Sequence, residues 1–159
     1  MKVLVRKGIK KDIPAVLGLI KELALFEKAP QEVTNTEADM ERDGFGENPV
    51  FRMLVAESEN LVIGIAIYFI KYSTWKGKGV YLDDIVVGEA FRGQGVGVKL
   101  FDAVIEDCKL IGAKQLHWQV LDWNETAINF YKKYDACFDD EWINCKLTEQ
   151  KIINFISHQ

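Results

Sequence analysis

The chain is short of the residues that build metal sites and covalent staples. Its 159 residues include three cysteines, Cys108, Cys137 and Cys145, with no CxxC pair. An odd, widely spaced set of thiols excludes a disulfide framework and a zinc site of ordinary spacing, and fits a reducing compartment. Histidine occurs twice, as His117 and His158, which leaves no His-rich metal cluster. Proline occurs three times, so no proline-rich linker divides the chain. No apolar run approaches the ~18 residues of a membrane span. The segment Met1-Lys2-Val3-Leu4-Val5-Arg6-Lys7 turns charged too early for a signal peptide. Basic residues are the minority, 20 against 24 acidic ones, for a formal net charge of −4. That balance argues against a nucleic-acid binder working by bulk charge. The expectation is a cytoplasmic protein without metal, membrane or nucleic-acid partner, acting on a small substrate; mild acidity suits a cationic one but is also the ordinary way to stay soluble, so charge alone does not choose.

What is present is ordinary for a folded domain: 48% hydrophobic and 28% charged residues. The length predicts one domain over residues 1–159, burying roughly two-thirds of its unfolded surface. Val3 to Arg6 reads as a strand. Asp12 and Pro14 open a helix whose apolar positions Ile13, Val16, Leu17, Ile20 and Leu23 share one face, with Pro30 marking its end. Thr36 and Asp39 resemble a capping pair for a short helix to about Gly44. Phe51 to Glu57 and Leu61 to Tyr72 read as a hairpin turning at Ser58-Glu59-Asn60, and Gly79 to Val87 as a further strand. A helix then runs to Ile111, ended by Gly112. Gln115 to Leu121 reads as a strand. Asn124 caps a helix to Tyr134. Ala136 to Leu147 reads as a strand pair or bulged strand, and Thr148 opens a last helix through Phe155. Strands cluster first and alternate with helices later, which predicts a mixed α/β or α+β sheet with helices on both faces. A doubly wound dinucleotide fold would alternate from its first strand.

The most informative segment is Phe91-Arg92-Gly93-Gln94-Gly95-Val96-Gly97, between an apolar strand and an amphipathic helix. Alternate glycines let a backbone turn tightly and approach a ligand. The N–H groups at a helix start favour an anion by about 0.3–1 kcal/mol. Arg92 adds a forked cation suited to phosphate. Val98 stands where a Walker loop needs lysine and where GxGxxG needs glycine, so neither of those loops applies.

Arg92-Gly93-Gln94-Gly95-Val96-Gly97 resembles the cofactor motif of the GNAT N-acetyltransferases, Gln/Arg-x-x-Gly-x-Gly/Ala. The resemblance extends, in order, through Leu19 to Ala24, Asp43 to Gly46, Tyr81-Leu82-Asp83-Asp84, Trp123-Asn124-Glu125 and Asn129-Phe130-Tyr131-Lys132. These stretches are similar to the diamine acetyltransferases, which include spermidine/spermine and thialysine enzymes. Phe26-Glu27-Lys28, the segment Tyr72 to Gly77 and Val120 to Asn124 look like the thialysine branch.

The resemblance implies the GNAT fold: a central, mostly antiparallel, twisted sheet with a splay between its central strands. It implies acetyl-CoA as cosubstrate, with the amides of Arg92, Gly93, Gln94, Gly95, Val96 and Gly97 on its pyrophosphate. The strand through Ile85 and Val87 would pair with the pantetheine arm, with Asn124, Tyr131 and Lys132 near the cofactor. It implies direct transfer to a small primary amine, with Tyr131 as general acid and Asp83 as general base through water. Asp83 stands where related enzymes carry glutamate, one methylene longer. Glu27, Trp75, Asp83, Asp84 and Trp123 are the candidates for the amine pocket, as acids that pair with ammonium or aromatic faces that attract cations. The two acids alternate faces in a regular strand, so one of them points into a given cleft. Family members are commonly homodimers.

Each residue also has a plainer reading. Tyr131 and the tryptophans can be packing, Asn124 a helix cap, Lys132 a solvated cation. A protein acetyltransferase and a non-catalytic acyl-CoA-binding module remain the alternatives to a small-amine enzyme.

Overall fold

The computed structural model describes residues 1–156; His158 lies outside the described residues. The chain forms two compact units, Met1–Gln119 and Val120–Gln159.

The first unit is built on five strands: β1 (Leu4–Lys7), β2 (Arg52–Ser58), β3 (Leu61–Ser73), β4 (Gly77–Val87) and β5 (Leu116–His117). They lie side by side in chain order. All neighbours are antiparallel except β4 and β5, which are parallel. The β2–β3 turn is tight because Glu59 and Asn60 both take positive φ, 50° and 65°, as a two-residue hairpin with matching twist requires.

Helices α1 (Ile13–Phe26) and α2 (Glu37–Phe45) cover one sheet face, and α3 (Val96–Ile111) the other. On the first face, Ile13, Val16, Leu17 and Leu19 of α1 and Met40 of α2 pack with Met53, Val55, Ile65, Ile67 and Val86. On the second face Gly64 makes room for α3. A Cβ there would meet Leu100 and the Val86 carbonyl at 3.0 Å. Tyr68, also on that face, donates from its hydroxyl to Asp107 of α3 at 2.9 Å.

Helix α1 ends at Phe26, four residues before Pro30. Lys28 takes φ 61°, the Lys28 N–H bonds the Leu25 carbonyl, and the Ala29 N–H bonds that of Ala24. This is a left-handed closure with lysine where glycine is commoner. At the other end Asp12 is buried, accepting from the Ile9 amide and from both terminal nitrogens of Arg6. Thr36 and Asp39 form the expected reciprocal cap of α2.

Strand β4 carries a bulge. Leu82 pairs with Tyr68 and Asp84 with Ile67, so Asp83 is an extra residue between adjacent pairs. The expected alternation of Asp83 and Asp84 is interrupted at this point. Beyond the bulge Asp84 shares the face of Ile67, the face that α1 covers.

The strand expected from Gln115 to Leu121 is confined to Leu116–His117. Its ladder holds only Val80 with Leu116 and Tyr81 with His117. Past that point β4 runs on to Val87 paired only with β3, and residues 118–121, without a ladder, do not continue as a strand.

In the second unit, α4 (Glu125–Lys132) stops two residues short of Tyr134, and α5 (Glu149–Ile153) opens after its N-cap Thr148 as expected but stops two residues short of Phe155. Asn124 caps α4, its side-chain oxygen accepting from the Ala127 amide at 3.2 Å. Ala136 to Leu147 forms no strand. Trp142 and Ile143 are largely exposed, and the acids Asp139, Asp140 and Glu141 interrupt any apolar alternation.

Candidate active site

The glycine loop has the form that anion binding needs. Gly93 and Gly95 take φ 74° and 78°, and Gly95 is the left-handed N-cap of α3. A side chain at either position would meet nothing within 4 Å, so backbone conformation, not crowding, selects glycine there. The Lys99 amide bonds the Gly95 carbonyl, which starts the helix. The N–H groups of its first turn therefore have no intrahelical acceptor. Val96 is 1% exposed, so its side chain anchors the turn in the core and only its backbone is available to a ligand. The cradle fits a pyrophosphate.

Arg92 is held from three sides. Its Nε donates to the Val87 carbonyl at 3.0 Å, its Nη2 contacts Glu22 Oε1 at 3.2 Å, and its guanidinium lies 5.5 Å from the Phe26 ring centre. The same Glu22 oxygen accepts from the Glu89 amide at 2.8 Å. Glu22 and Phe26 were not anticipated as site residues. Their signal was present in the helical i, i+4 spacing that puts both on one face of α1.

Between the loop and β5 lies the open edge of β4. Its ladder to β5 ends at Tyr81, while β3 continues to pair with Asp84, Ile85, Val86 and Val87. Leu82 to Val86 thus present one backbone edge without a strand, and Arg92 closes its end at the Val87 carbonyl. Such an edge takes an extended ligand as an added strand would.

The acids stand on this strand. Burial lifts the Asp84 carboxyl to about 6, with the charges of Asp83 and Glu27 adding to it. Asp83 is exposed, yet partial desolvation raises its carboxyl too. Desolvation likewise raises Glu27, just beyond the end of α1. These three carboxylates form an anionic patch centred on Asp84, whose carboxyl is raised by the charges of the other two. Tyr81 completes the strand's polar group, its hydroxyl raised by burial and then by Asp83 and Asp84.

The structure does not bring Trp75 to this patch. Trp75 is 83% exposed on the β3–β4 turn, where Ser73 Oγ accepts from the amides of Trp75 and Lys76. From Gly77 to Asp84 the strand alone spans ~23 Å. In the second unit, Trp123 is half-exposed before the α4 cap and Lys132 is exposed at the helix end. Tyr131 is 5% exposed, its ring edge-on to Phe130 at 5.2 Å.

A mixed sheet opening beside a helix-capping glycine loop offers a strand edge and an anion cradle suited to an extended, phosphate-bearing ligand. Residues 19–135 match the Acetyltransferase (GNAT) family. A thialysine N-epsilon-acetyltransferase of Mus musculus is 42% identical over 136 residues, 80% of each chain. A spermidine/spermine N(1)-acetyltransferase-like protein of Homo sapiens is 33% identical over 153 residues, covering 90% of this chain and 22% of that one. Among solved structures, an integron cassette protein from the mobile metagenome of V. cholerae superposes with a TM-score of 0.78 at 22% identity, covering 98% of this chain and 99% of that one. The chain belongs to the GNAT acetyltransferase family, and it is an N-acetyltransferase.

Proposed function

We propose that this enzyme moves the acetyl group of acetyl-CoA directly onto the primary amine of a small substrate: a thialysine-like amino acid, a diamine or a polyamine. The observation that carries this reading is the open edge of β4, with the glycine cradle at one end and the carboxylates Asp83 and Asp84 within it. The higher identity to a thialysine enzyme than to a polyamine one supports the first substrate class.

The chemistry assigns the roles. An alkylamine with a pKa of ~10.4 is almost wholly protonated at neutral pH. Asp84 and Glu27 hold the ammonium. Asp83 accepts its proton through water, the extra reach compensating for a side chain shorter than glutamate. The amine nitrogen then attacks the thioester carbonyl, the C–S bond breaks, and Tyr131 protonates the departing thiolate. The amides of residues 92–97 hold the pyrophosphate, Ile85 and Val87 flank the pantetheine arm, and Asn124 and Lys132 are the further residues assigned to the cofactor by resemblance to the family. Trp123 offers an aromatic face to a cation; Trp75, on the β3–β4 turn, is reached only by a long amine.

A single acetyltransferase domain is supported by the family match, which crosses the boundary at residue 119. A homodimer is supported by Trp142, Ile143, Leu147 and Phe155, each more than half exposed, which a second copy would cover. The three free cysteines fit the cytoplasm.

The test is thiol release from acetyl-CoA across lysine analogues, diamines, polyamines and aminoglycosides, with a lysine peptide as control. Release with a small amine is expected. A preference for the peptide would favour a protein acetyltransferase, and silence with tight CoA binding a non-catalytic module. Tyr131→Phe is expected to lower turnover and leave acetyl-CoA binding nearly intact.

A further inference from the structure

Four residues outside the roles above share the α1-covered face of the sheet. Phe69 pairs with Tyr81 and stacks on it at 5.3 Å between centroids; Tyr81 in turn pairs with His117, the last paired residue of β5. Lys71, two positions from Phe69 on the same face, places its ammonium 5.7 Å from the Tyr81 ring centre and 2.7 Å from His117 Nδ1. An ammonium can only donate, so Nδ1 accepts and the imidazole is neutral with its proton on Nε2. That leaves Lys71 as the full charge of the pair and the His117 Nε2–H as a second donor. Among the described residues no carboxylate forms an ion pair with either. Both side chains are half-buried, which is an expensive place to keep an unpaired cation.

Because of the Asp83 bulge, Tyr81 and Asp84 lie on one face although three positions apart. The open strand therefore carries the cationic pair on one side of Tyr81 and the anionic patch on the other. Lys71 and Ile67, the residue opposite Asp84, are four positions apart, or ~13 Å of backbone. The lysine stem carries the ammonium forward to Tyr81, 5.7 Å from its ring centre and opposite Phe69, which shortens that gap by about two positions.

We infer that Lys71 and His117 form a carboxylate-binding subsite, which makes the acceptor an amino acid bearing a side-chain amine in preference to a plain diamine or polyamine. The inference rests on the small-amine reading above and narrows it. The substrate's carboxylate lies on Lys71 and His117, and its distal amine lies among Asp83, Asp84 and Glu27. A diamine would instead place its second ammonium beside Lys71, where like charges repel.

The experiment compares kcat/KM for two matched pairs that differ only by the carboxylate: lysine against 1,5-diaminopentane, and thialysine against its decarboxylated counterpart. The native enzyme is expected to prefer the acid-bearing member of each pair. Lys71→Met, which keeps the stem and removes the charge, is expected to lower the acid-bearing members roughly tenfold or more through KM, with the diamines unchanged or improved. Lys71→Arg is expected to retain the preference. Preference for the diamines by the native enzyme, an equal loss on both members in Lys71→Met, or equal losses in Met and Arg variants would overturn the subsite while leaving a small-amine acetyltransferase intact. Thiol release with none of the four amines would overturn the small-amine reading, and the subsite with it.

Discussion

Glu22 and Arg92 are joined across 70 positions of chain, at 3.2 Å, through the one Glu22 oxygen that also accepts the Glu89 amide. Both side chains are well exposed, so the ion pair itself adds little to stability. Its effect is on the shape of the loop. Glu22→Ala is expected to shift the thermal midpoint by less than about 1 kcal/mol equivalent while raising KM for acetyl-CoA severalfold. Glu22→Gln, which keeps an acceptor for both donors, is expected to restore most of the affinity. Steady-state kinetics with acetyl-CoA as the varied substrate read this out.

Asp84 should give the enzyme an acid limb. With its carboxyl lifted to about 6, amine capture is expected to fall as pH drops through that value and the charge is lost. Glu27→Gln removes one of the charges that raise it, so the limb should move to lower pH in a kcat/KM profile. The stability sign is opposite to that of a paired acid. A carboxyl raised in the fold penalises the fold at pH above its shifted value, and the penalty fades as pH falls toward the ordinary carboxylate range. Asp84→Asn is therefore expected to stabilise the protein near neutral pH, by up to about 2 kcal/mol, and to weaken amine binding. A melt near pH 7 that shows no gain would contradict this.

Gly95 and Gly97 should separate conformation from contact. Gly95→Ala forces a side chain into φ 78° and is expected to cost about 1–2 kcal/mol, with a marked rise in KM for acetyl-CoA. Gly97 lies in the first turn of α3, and its Cβ would sit 3.8 Å from Val87, an ordinary contact. Gly97→Ala is expected to hold or gain up to about 1 kcal/mol. A rise in its acetyl-CoA KM would then report close approach of the ligand. Chemical denaturation alongside kinetics distinguishes the two.

Tyr68→Phe tests the sheet's attachment to α3. The hydroxyl is deeply buried and donates to Asp107, which keeps Arg52 at 3.2 Å when the hydroxyl is gone. The expected loss is about 1 kcal/mol, seen in the denaturant midpoint, with turnover unaffected because the contact lies on the α3 face. A fall in turnover without a fall in stability would place Tyr68 in the catalytic machinery.

Local chemistry made much of the architecture legible. Gly95 and Gly112 bound α3 as left-handed residues, Asn124 caps α4, and Glu59-Asn60 turns the hairpin, each through its own conformational preference. What resisted reading was non-local. Gln115 to Leu121 has the pattern of a strand, but β4 leaves it after Tyr81. The residues of 136–147 have β-forming aromatics, but no ladder takes them up. The bulge at Asp83 depends on the register of β3, and Lys71 meets His117 across 46 positions. Of the candidate site, the glycine loop and the acids were plain in sequence, whereas the clamp on Arg92 and the cation beside Tyr81 were not. A lone lysine in the apolar run from Leu61 to Ile70 and Tyr72 was the available signal for the latter.

The irregularity at Asp83 also bears on how the chain tolerates changes of length. Taking Asp83 out would leave Leu82 and Asp84 as consecutive residues facing Tyr68 and Ile67, an uninterrupted ladder. Every later side chain of the strand would keep its side of the sheet. The position therefore behaves as a spare link, the place where this strand can lose a residue without inverting its apolar phase. A shortened chain lacking it should fold, and should lack the residue to which proton removal is assigned.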